Sequence, residues 1–416
     1  MAEPRKILIV APYWRDPQHL GSVRVERFLR WLGATGVQLV IVAGGEDGVR
    51  RDEPWGTLLT VADPLRIYRE PAPAAATGRP RSRLLRWLAY AVLSPDPGIL
   101  WARRACKHPL LLEHCRGVDL VLASGFPDSV HVAAAHLAER CNARLVVDLR
   151  DGWLDEPMKP LLRHSPLRRW REGRVERRIL RQAAAIFVTS NPWRRLLVER
   201  LPFTAEKTRV LTNAYPAGCT PDLAPASPQR PQQRPLTLLY AGRSYTSRAE
   251  RRIEQLLAPL LAGLRTGAAV RRLLFVGNLG QPELEELASW RPAFAEFGCE
   301  IASRAAVPRA AALELMRQAD GLLLLSSSHA SIPAKLFDYL CAGRPILALC
   351  PASSAVAELA PQLRQMFCLD YSRAQAAPGI AAFIAACRDG CPGDLPARFD
   401  EAQLKPIFLA GLGFKS

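Results

Sequence analysis

The feature that most constrains this chain is a series of short apolar runs separated by stretches with helical periodicity. The first two runs span residues 6–12 and 37–43, and between them Val25, Leu29 and Leu32 recur at the spacing of one helical face. Seven further runs span residues 119–124, 143–148, 184–189, 236–241, 272–277, 321–326 and 345–349. Such runs are typical of strands buried on both sides, so the pattern predicts an α/β fold with parallel sheets covered by helices.

The runs fall into two series with a proline-rich segment, residues 215–235, between them. Repeated proline removes backbone donors and excludes both helix and central strand, so a linker is predicted there. We expect two doubly wound, Rossmann-like domains facing across a cleft, because such sheets bind ligands at the carboxyl ends of their strands. The predicted parts are an N-terminal domain 1–215, a linker 216–235, a C-terminal domain 236–395 and a tail 396–416 that packs back on the N-terminal domain.

The amino-acid composition excludes some classes of protein. Of the 416 residues, 49% are hydrophobic and 23% charged, which is typical of a soluble globular chain and excludes disordered and fibrous ones. The net charge of +17 would attract polyanions such as nucleotides, phosphodiesters or an anionic membrane face. The sequence has neither a signal-peptide core nor an apolar run of about 18 residues. We therefore expect a cytoplasmic protein, positioned to contact the inner face of the membrane, whose ten cysteines are reduced core thiols.

A first candidate anion site follows the first apolar run, where the loop ends in Gly21 and Ser22 at the predicted start of a helix. Free backbone amides and the helix dipole favour an anion there, and Arg24 would add a positive charge. The alternative interpretation is that Ser22 only caps the helix and Gly21 only forms a turn.

A second candidate site follows the run at 321–326, where a serine-rich loop leads into Pro333, Lys335 and Asp338. Lys335 and Asp338 are three residues apart and share one face of a predicted helix. A nucleoside diphosphate needs such a pair, since an ammonium and a helix N-terminus hold phosphates and a carboxylate holds ribose hydroxyls. The alternative is a weak ion pair on the surface.

The segment SIPAKLFDYLCAGRPILAL, residues 331–349, resembles the nucleotide-binding helix of GT-B glycosyltransferases, specifically bacterial enzymes of glycosyltransferase family 4. The resemblance extends over most of the chain, in the order of the family's own elements. The motifs that carry it are KILIVAPYW, GSVRVERFLRWL, GVQLVIVA, SPDPGILWARRA, LASGFPDSVHVAA, LVVDLRDGW, VTSNPWRRLL, VLTNAYP, LLYAGRSYTSR and AVPRAAALELMRQADGLLLL.

The resemblance implies a donor site in the C-terminal domain. Arg243, in an Ala-Gly-Arg motif, and Lys335 would hold the diphosphate of a nucleotide-sugar donor, and Asp338 would lie near its ribose. Gly21 and Ser22 would face the donor phosphates across the cleft. The N-terminal domain would bind the acceptor.

Candidates for contact with the reacting sugar follow from the same resemblance. Asp151, which ends the Asp-Leu-Arg-Asp motif, would contact the donor sugar or the acceptor, unless Arg150 forms a structural ion pair with it or with Asp148. Many family members carry a glutamate where this chain has Ala330. His329 lies beside that gap and is a candidate to replace the missing side chain, or else an ordinary polar loop residue.

The implied reaction moves a sugar from a nucleotide-diphosphate sugar to a glycan or lipid-linked acceptor, with retention at the anomeric carbon, in cell-surface polysaccharide or glycolipid synthesis. Arginine and lysine would stabilise the departing diphosphate. We therefore expect no metal and no other cofactor, and the sequence contains no metal-ligand motif.

Two basic segments, 79–93 and 163–181, interleave arginines with apolar and aromatic residues. Such segments are typical of peripheral membrane contact, and a lipid-linked acceptor would be found there. The alternative is a solvated helix face.

Three other functions compete with the transferase prediction. A sugar-nucleotide epimerase shares the architecture but would not need the basic segments. A non-catalytic, glycosyltransferase-like binding protein is favoured by the missing glutamate. A nucleic-acid binder would suit the net charge, but the sequence contains no nucleic-acid-binding module, so no nucleic-acid partner is expected.

Overall fold

The computed structural model of the protein describes residues 3–14, 20–65, 67–68, 92–125, 127–155, 162, 165–215, 219, 235–242, 253–370, 377–391 and 393–414. The chain groups into two compact units, which we call unit 1, Met1–Thr212 with Ala402–Ser416, and unit 2, Asn213–Glu401. Each unit is built on its own mainly parallel sheet. The predicted α/β fold class with two doubly wound sheets is confirmed.

Unit 1 has eight strands in the described part of the chain. They are β1 Lys6–Val10, β2 Gln38–Gly44, β3 Val49–Glu53, β4 Gly56–Val61, β5 Leu120–Gly125, β6 Arg144–Leu149, β7 Ala183–Val188 and β8 Thr208–Val210. The sheet has the order β3-β4-β2-β1-β5-β6-β7-β8, and β3 alone pairs antiparallel to its neighbour. The direction of strand addition reverses between β1 and β5, which creates a ligand-binding position at the carboxyl ends of these two strands.

Helices cover this sheet because the segments between strands carry one apolar face and recognisable starts. They are α1 Leu20–Gly33, α2 Ile99–Ala105, α3 Pro109–His114, α4 Ser129–Cys141, α5 Pro166–Gln182 and α6 Asn191–Arg200. Ser165 and Ser190 begin α5 and α6: each side chain accepts a hydrogen bond from a backbone N–H three residues later. Proline in the first turn of both helices supplies a fixed backbone angle and needs no donor there.

Unit 2 has six strands among its described residues, all paired in parallel. They are β9 Leu236–Ala241, β10 Val270–Val276, β11 Glu300–Arg304, β12 Gly321–Leu325, β13 Ile346–Leu349 and β14 Met366–Leu369. The order is β11-β10-β9-β12-β13-β14, so strand addition reverses between β9 and β12. The carboxyl ends of β9 and β12 are therefore the ligand-binding position of this sheet.

The helices of unit 2 pack on both faces of its sheet. They are α7 Glu254–Arg265, α8 Gln281–Ala295, α9 Arg309–Gln318, α10 Lys335–Ala342, α11 Ala355–Leu359 and α12 Ala377–Asp389. Alternate residues of a strand point to opposite faces, so Leu322 and Leu324 join one buried cluster while Leu323 and Leu325 join the other. Burial on both faces explains the continuous apolar run of β12.

The last helix, α13 Glu401–Leu412, packs against unit 1. Its fully buried Phe408 stacks on Phe28 with ring centroids 4.3 Å apart and also contacts the rings of Trp31 and Phe187. Three aromatic neighbours around one buried ring anchor the helix through apolar contact.

One expectation about the cysteines is wrong. Cys219 and Cys341 form a disulfide, with Cα atoms 5.8 Å apart, although all ten had been expected as thiols. The partners are 122 residues apart in sequence, and only the fold brings the chain after Tyr215 against α10. The other eight cysteines are free thiols.

Candidate active site

The carboxyl ends of β9 and β12 in unit 2 carry the residues that resemble a phosphate site. Strand β9 ends at Ala241 and is followed by Gly242, whose φ of 98° lies in a region that favours glycine. Strand β12 ends at Leu325 and is followed by the buried serines 326–328. Helix α10 then begins at Lys335. The sequence-predicted loop and helix therefore lie at the reversal point of the sheet.

Lys335 is held over the end of β9. Its Nζ donates to the carbonyl oxygen of Ala241 at 3.0 Å and lies 3.8 Å from the centroid of the Tyr240 ring. A Cβ placed on Gly242 would lie 3.9 Å from this Nζ. The ammonium is thus fixed beside a backbone that carries no side chain, which leaves room for an anion to approach it.

Tyr339 ties α10 to the sheet edge. Its fully buried hydroxyl donates to the carbonyl of Leu323 at 3.1 Å and accepts from the backbone N–H of Ala241 at 2.8 Å. Burial raises the pKa of Tyr339 well above its usual value, so the hydroxyl stays protonated and keeps both bonds. Through these two bonds Tyr339 fixes the position of α10, and with it Lys335, relative to β9 and β12.

The serine loop, residues 326–328, contributes buried hydroxyl groups at the carboxyl end of β12. Ser326 and Ser327 are 0% and 6% exposed, and among the described residues their hydroxyl groups find no hydrogen-bond partner. Ser328 instead accepts from the backbone N–H groups of Ala330 and Ser331 and shapes the loop. Buried hydroxyls without a protein partner are unusual and indicate a ligand or water at the site.

Two other predicted residues of unit 2 have protein partners. Asp338 Oδ1 accepts from Arg309 at 2.7 Å, an ion pair the sequence did not reveal because Arg309 lies 29 residues earlier, at the start of α9. The ring of the exposed His329 lies with Nδ1 3.2 Å from the Ser353 hydroxyl. Ala330 is fully buried. The donor roles of Asp338 and His329 stay predictions, and Arg243 lies outside the described residues.

In unit 1, the loop after β1 leads to Gly21 and Ser22. Helix α1 begins at Leu20, so Ser22 lies inside the first turn and is not the N-cap that the alternative interpretation required. Its hydroxyl donates to the carbonyl of Tyr13 at 2.6 Å, which folds the loop back on the helix. Ser22 is buried, and the proposed contact of Gly21 and Ser22 with phosphate stays a prediction.

Arg24 is buried and hydrogen-bonded to other residues of unit 1. Its guanidinium donates twice to Asp148, at 2.8 and 2.7 Å, and to the carbonyl oxygens of Leu211 and Thr212 at 2.9 and 3.1 Å. Arg24 is 3% exposed. These four bonds join α1 to β6 and to the segment that follows β8. They occupy a guanidinium that the sequence predicts to bind the donor. Contact of Arg24 with phosphate stays a prediction that this geometry does not favour.

Asp151 follows β6 at the carboxyl edge of the sheet of unit 1, where it is partly buried. Asp148 bonds with Arg24 and with the hydroxyl of Ser124, at 2.7 Å, so the ion pair suspected between Asp148 and Arg150 is replaced by one with Arg24. Burial lowers the pKa of Arg150, while the charges of Asp151 and then Asp148 oppose that shift. Asp151 thus lies next to the partly buried cation Arg150.

Side chains of α5 and α6 hold the loop that carries Asp151 in place. A Cβ on Gly152 would lie 1.3 Å from the buried indole of Trp193. Trp153 donates from its ring nitrogen to Glu172 at 2.9 Å, and Arg200 joins Asp155 to the buried Glu176. Two inward-facing glutamates of α5 therefore position this loop.

His131 is a candidate that sequence reasoning missed. It lies in the first turn of α4, is 1% exposed, and its Nδ1 has no hydrogen-bond partner among the described residues. Burial lowers its pKa to about 4, against a raising effect of Asp148, so the ring is neutral at physiological pH. The signal available in the sequence was its place in the SGFPDSVH motif, just after a predicted strand.

Helix α5 covers most of the second basic segment. Its two glutamates, 172 and 176, are each 1% exposed and point inward, whereas Leu167 and Trp170 are each 58% exposed. The exposed arginines of this helix are Arg169, Arg171, Arg174, Arg177, Arg178 and Arg181. Its outer face is therefore cationic and apolar without a carboxylate. Residues 79–91 and 163–164 of the two segments lie outside the described residues.

Neither a metal site nor a membrane-spanning helix is found in the part of the chain that the structure describes. Its histidine, cysteine, aspartate and glutamate side chains form no group of three able to hold an ion. Likewise, no described helix is long and apolar enough to cross a membrane.

Comparison with known proteins agrees with this geometry. Residues 21–214 match the family described as glycosyl transferase 4-like domain. No curated protein matches the chain significantly.

Several solved structures match nearly the whole length of this chain. HepE from Anabaena, in complex with UDP and glucose, has 14% identity and a TM-score of 0.62 over 98% of this chain and 99% of that one. The lipopolysaccharide outer core galactosyltransferase WaaB, in its apo form, has 12% identity and a TM-score of 0.58 over 98% and 99%. A UDP-forming α,α-trehalose-phosphate synthase from Burkholderia xenovorans has 13% identity and a TM-score of 0.61 over 98% and 100%.

These matches define the class of protein. The fold is that of the GT-B glycosyltransferases. Residues 21–214 form a glycosyl transferase 4-like domain. The resemblance predicted from the sequence motifs is confirmed: the fold is that of solved glycosyltransferases, and residues 21–214 match the family model.

Proposed function

We propose that the protein transfers a sugar, with retention at the anomeric carbon, from a nucleotide-diphosphate sugar bound by unit 2 to a glycan or lipid-linked acceptor bound by unit 1. The observation that carries the proposal is the ammonium of Lys335 held at the end of β9, at the reversal point of the sheet where β12 leads into the buried hydroxyls of Ser326 and Ser327. A UDP-sugar is the donor to test first, since HepE, which is similar in fold, was solved with UDP and glucose and with UDP-glucose.

The chemistry explains why a cation belongs there. The bond between the anomeric carbon and the diphosphate oxygen breaks, a bond to an acceptor hydroxyl oxygen forms, and the proton of that hydroxyl is taken up by the departing diphosphate. Negative charge develops on the departing diphosphate, and a prepositioned ammonium stabilises it without reorganisation. Tyr339 is a positioning residue in this scheme, because it fixes α10 and thereby Lys335.

The outer face of α5 supports a place for the reaction at the cytoplasmic face of a membrane. Exposed Trp170 and Leu167 lie among arginines, and the ring of Trp170 is 5.0 Å from the Arg174 guanidinium. Cationic side chains near an anionic surface contribute about 1 kcal/mol each, and exposed aromatic residues enter the headgroup region. Cell-surface polysaccharide or glycolipid synthesis would supply acceptors there.

The donor site is tested by thermal shift against nucleoside diphosphates and their sugar conjugates. A ligand that binds the folded chain selectively raises its melting temperature, and Lys335→Ala should abolish that shift. The matched control is Arg272→Ala, which removes one cation of unit 2 from the amino half of β10, where Arg272 bonds with Glu300. An equal loss in both variants, or an undiminished shift in Lys335→Ala, contradicts the assignment.

A second readout does not depend on turnover. Lys335 is the only lysine among residues 213–401. Any lysine acetylation detected within unit 2 is therefore acetylation of Lys335. Bound UDP or UDP-sugar should protect it, and mass spectrometry measures the protection. Donor binding without transfer of sugar to any acceptor in membrane extracts would favour a non-catalytic binding protein and contradict the proposed reaction.

A further inference from the structure

Unit 1 contains an apolar groove that the proposed reaction does not use. It has a volume of about 320 Å³ and lies between α2, α4 and α5. Its floor is formed by Ile99, Ala102, Cys106 and Ala133, all at most 6% exposed. The volume is at the lower end of the range for small-molecule sites, which is about 300–1,000 Å³, and such sites are lined mainly by apolar groups.

The rim of this groove is positively charged. Arg103 and Lys107 supply this charge; the side chain of His136 also lines the rim, and all three residues are exposed. The one carboxylate of the lining, Glu172, is 1% exposed and bonds with Trp153 and Arg168 inside the unit. A ligand that enters the groove therefore meets cations at the mouth and hydrocarbon inside, which is the pattern that an anionic amphiphile complements.

The groove borders α5, the helix that carries the cationic and apolar outer face. Val175, 37% exposed, lines the groove from this helix. Leu167 and Trp170, on the same helix, are exposed without lining the groove. An apolar surface beside arginines is the kind of surface that settles in the headgroup region of an anionic bilayer. The groove thus opens where a lipid would be presented.

We propose that this groove binds one hydrocarbon chain of an anionic, phosphate-bearing membrane lipid, with the phosphate placed on Arg103 and Lys107. The site goes beyond the proposed transfer and does not depend on it, because neither donor binding nor Lys335 is involved. It would keep the enzyme at the bilayer by holding an individual lipid, in addition to the attraction between the arginines of α5 and the surface.

Chain length gives the first test. Titration with octyl, decyl and dodecyl phosphate, each below its micelle concentration, should show affinity rising about fourfold for each methylene added until the groove is full. Inorganic phosphate should bind at least a hundredfold more weakly than dodecyl phosphate. Equal affinity across the series, or no saturable binding of any alkyl phosphate, overturns the proposal.

Matched variants locate the binding. Val175→Asp places a carboxylate in the groove and should weaken dodecyl phosphate binding more than tenfold, whereas Leu167→Asp makes the same change on the same helix outside it and should leave affinity unchanged. An equal effect of the two variants overturns the groove as the site and assigns binding to the outer face of α5.

The headgroup position is tested in the same assay. Arg103→Gln with Lys107→Gln should weaken dodecyl phosphate but not dodecanol. The control is Arg104→Gln, which removes a cation of α2 that pairs with Asp47 and does not line the groove. Equal losses for dodecyl phosphate and dodecanol, or an equal loss in the control, overturn the assigned phosphate position. Because donor binding is measured separately by acetylation of Lys335, failure of this proposal is distinguishable from failure of the proposed transfer.

Discussion

Arg24 and Asp148 form a two-pronged ion pair in the interior of unit 1, with side chains only 3% and 0% exposed. The pair joins α1 to β6, the strand that leads directly into Asp151. Two further guanidinium hydrogens bond with the carbonyls of Leu211 and Thr212, so the buried charge has four hydrogen-bond contacts with the protein. The position of the Asp151 loop therefore depends on a buried cation that lies two residues after Ser22 and three after Gly21.

Removing one partner of this pair should destabilise the protein strongly. Arg24→Met leaves Asp148 buried and unpaired, and we expect a loss of about 3–5 kcal/mol in the free energy of unfolding. Urea denaturation followed by circular dichroism measures it. The double variant Arg24→Met with Asp148→Leu should recover part of the loss, because it removes the stranded charge.

An exposed pair of α1 provides the control. Arg30 and Glu26 are 43% and 61% exposed and 3.9 Å apart, so Arg30→Met should cost less than about 1 kcal/mol. A loss in Arg24→Met as small as that in Arg30→Met would show that the buried pair does not support the fold.

Much of the fold follows from apolar patterning. Every predicted run overlaps a strand, because central strands are buried on both faces and are therefore mainly apolar. Two edge strands, β3 and β11, were missed for the opposite reason. Strand β3, with the sequence VRRDE, is mostly exposed and polar, and β11 contains Glu300 and Arg304. An edge strand has a solvated side and therefore no continuous apolar signal.

The site was predicted in part. Lys335 and the serine loop could be placed because a loop after a strand and a helix start are local features of the sequence. The partners of charged residues are not local. Nothing in the sequence indicates that Arg24 meets Asp148 across 124 positions, or that Arg309 meets Asp338. Only the packing of whole elements decides which charges are buried together.

His131 should make stability depend on pH in a defined window. Its folded pKa of about 4 lies below the unfolded value near 6.5, so the unfolded chain binds the proton more tightly between these values. Stability is complete above about pH 6.5 and falls as the pH drops towards 4, by about 3 kcal/mol from this group.

The measurement compares unfolding free energies of the wild type and His131→Asn from pH 7 to 4. The difference between the two should move by about 3 kcal/mol in favour of the variant as the pH falls. His136→Asn, which removes an exposed histidine from the same helix, serves as the control. A wild-type curve parallel to that of His131→Asn would contradict a buried, neutral imidazole.

The contact between Gly152 and Trp193 should be intolerant of a single methyl group. Gly152→Ala places a Cβ 1.3 Å from a buried indole, so either the loop or the ring must move, and we expect a loss of at least about 1–3 kcal/mol by urea denaturation. Gly33→Ala makes the same change where no atom lies within 4 Å, and it should be neutral or stabilising by up to about 1 kcal/mol. Trp193→Leu in the Gly152→Ala background should recover part of the loss, since a smaller side chain admits the methyl group. Additive losses of unfolding free energy in that double variant would show that Gly152 is needed for some reason other than the indole of Trp193. The loop of Asp151 would then be positioned by Glu172 and Arg200 alone.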